Sequence, residues 1–384
     1  MRASRAAAAL NVAMLASGCA VETDPTAHLS QPIVYGVDDR EEYYQAPPAA
    51  RSATAASMVA LVLKSSVAAL EQGSLPSLGV VDGLCPGEAF AGQPVAAFCT
   101  GVLVDWDLVL TAGHCASLFA IGDFEVAFGY YYSAPGVLAV QATDFRDPIE
   151  IVGWEMDPAG ANPRLDYAWL RLSSPVGPPR QPAAIYVRPP PIELGEPLVS
   201  ISTGGGVPMK IDEDPKVRDV RASSSDYFIA DTDTSAGASG GSVFDDSGAV
   251  LGILARGGTD YVTTDAGCRA TNEVPDGAAA QEQYTYAYRA VQGLCSDRPS
   301  ASSICRNDCE NPCQALAEGD PAGRSAAGCA LAMGHRDDAT LSLFALLSVL
   351  VALKRADGGR RCEPQRRAAS SLAAKAGTVP ARLR

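Results

Sequence analysis

The chain has 384 residues, room for one to three domains, and carries a formal net charge of −14 with a sequence pI near 4.7. That balance excludes the basic footprint that nucleic-acid binding requires and instead describes a solvated acidic surface. Eleven cysteines, together with the N-terminal segment, point to an oxidising compartment.

In chain order, residues 1–19 place Arg2 and Arg5 before an apolar run, Ala6 to Ala16, and end in Ser17-Gly18-Cys19, the pattern of an export signal. Leu15-Ala-Ser-Gly-Cys19 also resembles a bacterial lipobox, which implies lipidation at Cys19; ordinary cleavage near Ala20 is the alternative. Residues 20–57 form a polar, alanine-rich N-terminal segment. Met58 to Lys64 reads as a buried strand, and Ser65 to Ala97 as an insertion looping over the surface. Strands are expected at Thr100–Val104, Leu108–Ala112, Phe124–Tyr132, Gly136–Ala142, Ile149–Val152 and Tyr167–Leu172. Tyr130 to Tyr132 reads either as a substrate-facing edge or as β packing.

A proline-rich connection, Ser173 to Pro191, separates these from strands at Pro197–Thr203, Lys216–Ala222 and Asp226–Ala230, and Ala278 to Gly293 reads as a helix. Residues 294–338 form a cysteine-rich linker, in which the Cys305, Cys309, Cys313 spacing without a histidine favours a disulfide knot over a metal site. Residues 339–353 carry no charge and are followed by a basic tail, 354–384. Fifteen residues are short for a membrane span, but the arginines that follow fit its cytoplasmic flank. Together these features resemble a bacterial tripartite sorting tail, with a buried helix as the alternative.

The chemistry concentrates in three segments. Gly237-Ala238-Ser239-Gly240-Gly241 opens a Gly/Ser loop that exposes a hydroxyl or simply joins two strands. Cys99 to Cys115 ends in Thr111-Ala-Gly-His114-Cys115, and Asp166 opens the strand Asp166-Tyr-Ala-Trp-Leu-Arg-Leu. His28 and His335 lie towards the ends of the chain, so His114 alone supplies an imidazole base within the domain of residues 58–293. Base, orienting carboxylate and hydroxyl occur in the order His, Asp, Ser, one of the known arrangements of an activated serine.

These motifs resemble the chymotrypsin/trypsin-fold serine peptidases, over roughly Ile33 to Gly258. Gly206-Val-Pro-Met-Lys, Asp231-Thr-Asp-Thr and Gly252-Ile-Leu-Ala-Arg-Gly257 are similar to the bacterial glutamyl-endopeptidase-like branch. The resemblance implies an all-β fold of two six-stranded antiparallel barrels with a C-terminal helix. It implies catalysis by His114, Asp166 and Ser239 without metal or cofactor, an oxyanion hole at the N–H groups of Gly237 and Ser239, and a Cys99–Cys115 disulfide clamping the histidine loop. The substrate pocket would fall at Asp233, Thr234, Ala255 and Gly257.

Departures from the family pattern are specific. Ala238 stands where many members place the aspartate that pairs with a freed N-terminus, and Pro32 precedes Ile33-Val34-Tyr35-Gly36 instead of a basic residue. The histidine of glutamyl-specific members is absent from Gly252-Ile-Leu-Ala-Arg256, and Ser242 replaces a common proline. The expectation is an exported, surface-anchored, monomeric serine endopeptidase acting on protein or peptide, held at the membrane by a lipid anchor, the C-terminal helix or both. The alternatives are a catalytically silent peptidase-fold binding protein and an esterase using the same triad. The serine-last order of the three residues argues against an α/β-hydrolase version of that esterase.

Overall fold

The computed structural model describes residues 34–275 and 277–305. The signal, Cys19, Pro32 and Ile33, most of the cysteine-rich linker, the apolar segment 339–353 and the basic tail lie outside the described residues. The chain divides into Met1–Ala332 and Met333–Arg384, and every described residue belongs to the first unit. Among the described residues no helix is long and apolar enough to cross a membrane.

Two antiparallel sheets, of seven and eight strands, carry the fold. Met58–Leu63 (β1), Ala97–Asp105 (β2), Leu108–Thr111 (β3), Phe124–Phe128 (β4), Pro148–Met156 (β5) and Asp166–Leu172 (β6) form the first, ordered β5-β6-β3-β2-β1-β4, with Phe145–Arg146 added at its edge. Val199–Ser202 (β7), Lys210–Asp212 (β8), Tyr227–Ala230 (β9), Ser242–Phe244 (β10), Val250–Arg256 (β11) and Glu282–Tyr286 (β12) form the second, ordered β9-β12-β11-β10-β7-β8. Val217–Asp219 and Glu41–Glu42 extend its two edges. The molecule is the all-β double-barrel fold expected, its two sheets having seven and eight strands rather than six each.

The strands in the middle of the sheets are buried on both faces, so their apolar runs are continuous rather than alternating. Val59 and Leu61 of β1 pack with Leu103, Val109, Phe124, Val126, Phe128 and Leu170, while Met58, Ala60 and Val62 face a second cluster with Trp169 and Ile253. The second sheet has its own cluster around Phe228, Val243, Leu251, Leu254, Tyr284 and Tyr286. Tyr130 is fully buried and its hydroxyl donates to the carbonyls of Pro94 and Gly206, so the packing reading of that aromatic run holds for Tyr130.

Two expectations are corrected, and the N-terminal segment gains an element that had not been assigned. The run 278–293 is not one helix: Glu282–Tyr286 is β12, paired on both sides by β9 and β11, and the helix α3 covers Ala287–Asp297. Glu282, Tyr284, Thr285 and Tyr286 are all buried, and the ladder on both sides decides for a strand. The polar segment before β1 holds a helix, α1 (Pro48–Ser57), which starts on a proline and runs through alanines. Residues 65–97 do more than loop over the surface. They carry helices Lys64–Glu71 and Leu78–Asp82, and a Cys85–Cys268 disulfide ties them to the Tyr261–Thr263/Arg269–Thr271 hairpin.

Helix α3 places Ala287, Tyr288, Ala290, Val291 and Leu294 on its buried face, and the Trp169 indole N–H donates to the carbonyl of Ala290. A Cys295–Cys305 disulfide closes its end.

Candidate active site

His114 sits in α2 (Gly113–Leu118), immediately after β3. The helix can begin there only because Gly113 has no side chain. A Cβ at that position would collide with the carbonyls of Glu155 and Tyr167 and reach Asp166 Oδ1. The Cys99–Cys115 disulfide, 1.96 Å between sulfurs, fastens α2 to β2. Cys99, Cys115 and His114 bring their ligand atoms within 4.8 Å of one another, but the two sulfurs are bonded to each other and offer no thiolate.

Asp166 is the first residue of β6, where its antiparallel pairing with Met156 of β5 fixes its backbone. Its Oδ1 accepts the His114 backbone N–H at 3.0 Å, and its Oδ2 lies 3.0 Å from His114 Nδ1. The Asp166 backbone N–H donates to Thr285 Oγ1 on β12 at 3.3 Å, so the second sheet helps orient it. The two-point grip fixes the imidazole ring and makes Nδ1 the protonated nitrogen. The other nitrogen, Nε2, is buried and has no hydrogen-bond partner among the described residues.

The loop 235–241 turns back tightly, with Ala238 N–H donating to Ser235 O and Gly241 N–H to Ala238 O. Its position against the histidine loop is set at Ser239 and Gly240. Thr100 N–H donates to Ser239 O at 2.7 Å, and Gly240 N–H donates to Leu254 O at 2.8 Å. Gly240 has φ +77°, and a Cβ there would collide with Thr100 O, Thr111 Oγ1 and Ala112 N, two residues before His114. The structure therefore brings the serine loop against the segment that carries His114. Ser239 itself is buried, and its Oγ makes no hydrogen bond to His114 Nε2.

The N–H groups of Gly237 and Ser239 donate to no described residue, so both remain available to an oxygen. The Gly237 carbonyl is turned the other way, accepting Thr100 Oγ1 at 3.2 Å and Thr203 Oγ1 at 3.0 Å. Ala238 is fully buried, in the second sheet's apolar cluster.

The expected pocket residues are brought together less simply. Thr234 is buried with Oγ1 unpartnered among the described residues, Ala255 is buried on β11, and Gly257 follows that strand. Asp233 is buried and faces the N-terminal strand Val34–Tyr35: its Oδ1 accepts the Tyr35 N–H at 2.8 Å, and its own N–H donates to Asp212 Oδ2 at 2.8 Å. Burial pushes its carboxyl up to about 7, against the lowering effect of the Tyr35 hydrogen bond. Sequence reasoning missed two contributors, Tyr35 and Arg256, whose Nη2 lies 3.7 Å from Asp166 Oδ2. Neither lies in a motif with the residue it meets, so no local signal could have found them.

Residues 99–253 match the family model of the trypsin-like peptidase domain. That span covers His114, Asp166 and Ser239. No curated protein matches the chain. Among solved structures, neuropsin, a serine protease expressed in the limbic system of mouse brain, is 18% identical, with a TM-score of 0.41 over 67% of this chain and 98% of its own. The Rv3671c protease from M. tuberculosis, in an inactive form, is 14% identical, with a TM-score of 0.36 over 69% of this chain and 98% of its own. A mutant of that protein, also in the inactive form, is 14% identical over 70% of this chain, with a TM-score of 0.39.

Proposed function

We propose that this chain is an exported, surface-anchored serine endopeptidase whose trypsin-like peptidase domain works through His114, Asp166 and Ser239. The observation that carries the reading is the Asp166 carboxylate. It takes both the backbone and the ring N–H of His114 at 3.0 Å, while Nε2 is left buried and unpartnered beside the serine loop. An imidazole so held has one nitrogen committed to orientation and one reserved for a proton.

In this mechanism Ser239 Oγ attacks the peptide carbonyl and Nε2 takes its proton. The N–H groups of Gly237 and Ser239 hold the oxyanion, and Nε2 returns the proton to the leaving amine. Water then releases the acyl group by the same proton route. The Ser239–His114 hydrogen bond is made when substrate packs against the loop, since catalytic contacts commonly tighten only in the substrate complex. Asp166 stabilises the imidazolium without itself taking a proton. Export and anchoring rest on the signal-like residues 1–19, Cys19 and the apolar segment 339–353.

A silent binding protein on the same fold is the second reading, favoured by the missing Ser239–His114 contact and by Ala238. Hydrolysis of a mixed peptide library by the full chain separates the two. The proposal predicts cleavage that falls by roughly 10⁴–10⁶-fold in S239A and H114A and about 10⁴-fold in D166N. Equal, background-level turnover in all four proteins, each folded, would favour the binding protein.

A further inference from the structure

Arg256 ends β11, on the strand beside the serine loop, and its side chain crosses to the start of β6. Nη2 lies 3.4 Å from the Leu165 carbonyl and 3.7 Å from Asp166 Oδ2. The side chains are 15% and 4% exposed, so both charges are withdrawn from water. Nη1 is buried with no partner among the described residues, which makes this an incompletely satisfied cation there. Burial pulls the guanidinium down from its ordinary value and Asp166 pushes it up, with Arg164, Tyr227 and Asp157 as the other charged or titratable groups acting on it.

A cation kept in such a place calls for a reason. Asp166 receives two hydrogen bonds from His114, but a neutral imidazole brings no charge to offset a buried carboxylate. Among the described residues no Lys or other Arg pairs with Asp166, and a guanidinium is charged at every accessible pH. An ion pair serving only to fasten two strands would be replaceable by apolar packing at little cost. We infer that Arg256 is a positioning residue of the site: it supplies a fixed counter-charge beside the Asp166 carboxylate and, through Leu165 O, holds the end of β6 in register with His114. It acts through Asp166 and touches no substrate. This rests on the His114–Asp166–Ser239 reading above.

The test compares R256K, which keeps the charge, with R256M, which keeps the bulk, in the full-length chain. Two quantities are read: kcat and KM for a cleaved peptide, and the downfield proton resonance of His114 Nδ1–H, assigned by its loss in H114A. R256M is expected to lower kcat roughly 10- to 100-fold with KM unchanged, as a small misplacement of a catalytic group does. R256K is expected to stay within about threefold of the parent. The resonance should be displaced in R256M and hold its position in R256K. Unchanged kcat and an unmoved resonance in R256M would overturn the inference. So would equal losses in both variants with the resonance in place, which would mark a merely structural tie. Should R256M fail to fold, R256Q keeps the polar contact to Leu165 O without the charge and stands in for it. If the parent cleaves nothing, the catalytic reading fails, and the resonance still decides whether Arg256 holds Asp166.

Discussion

At the scale of single residues, the site depends on where a side chain cannot be. Gly240 is wedged between Thr100, Thr111 and Ala112 with φ +77°, so an alanine there meets both backbone and a conformation that L-residues avoid. Gly240→Ala is expected to cost about 2–4 kcal/mol of stability and to push Ser239 away from the histidine loop. Thermal unfolding together with peptide turnover checks this; a variant with unchanged Tm and turnover would show the loop to be looser than described. The glycines around Ser239 were legible as a special loop, and Thr-Ala-Gly-His-Cys and Asp-Tyr-Ala-Trp as its counterparts, because each is a local pattern. The contacts that complete the site were not legible. Arg256 meets Asp166 across 90 positions, and Tyr35 meets Asp233 across 198. Nothing in either neighbourhood encodes its partner.

Among the elements, the segment between β1 and β2 departs most from what its composition suggested. Its Gly, Pro and small residues read as a surface loop, yet Leu78 is buried against the Gly204–Gly206 turn. Ala96 N–H donates to Gly206 O at 3.0 Å. Gly205 N–H in turn donates to Ala236 O, three residues before Ser239, so the segment braces the serine loop from behind. Its far end is pinned by Cys85–Cys268 and by Glu88, which accepts from Thr271 Oγ1 at 2.6 Å. A cross-link between residues 183 positions apart constrains the unfolded chain strongly. The double variant C85S/C268S is therefore expected to lose about 2–5 kcal/mol. Denaturant unfolding under non-reducing conditions measures it, and a loss below about 0.5 kcal/mol would mean the brace holds without its pin. The misread start of α3 has the same origin as the misread loop: β12 becomes a strand through its pairing with β9 and β11, a tertiary choice that its five residues do not announce.

For the whole molecule, the acidic balance is partly internal. Burial raises Asp233 and Asp260 to about 7 and Glu282 to about 8, and raises Asp212 well above its ordinary value. In this window the folded chain holds protons that the unfolded chain has already released, so stability falls as pH rises from the ordinary carboxyl range through the folded values. Asp226 runs the other way: against the upward push of burial, hydrogen bonds from Ser224 and Arg221 bring it to about 2. Its contribution is lost only in stronger acid, as pH falls below the ordinary carboxyl value. Tm is thus expected to be higher near about pH 5 than near about pH 8, and the double variant D233N/E282Q to flatten that slope. A Tm that climbs steadily to pH 8 would contradict the buried-acid account.

The proposed mechanism stands on an activated Ser239, which covalent labelling reads without a substrate. The full chain would be treated with a fluorophosphonate and the adduct located by peptide mass spectrometry, with S239A and H114A treated alongside. An activated serine gives one adduct, on Ser239, absent from both variants. A folded chain that takes no adduct, or takes it equally in H114A, would contradict the mechanism.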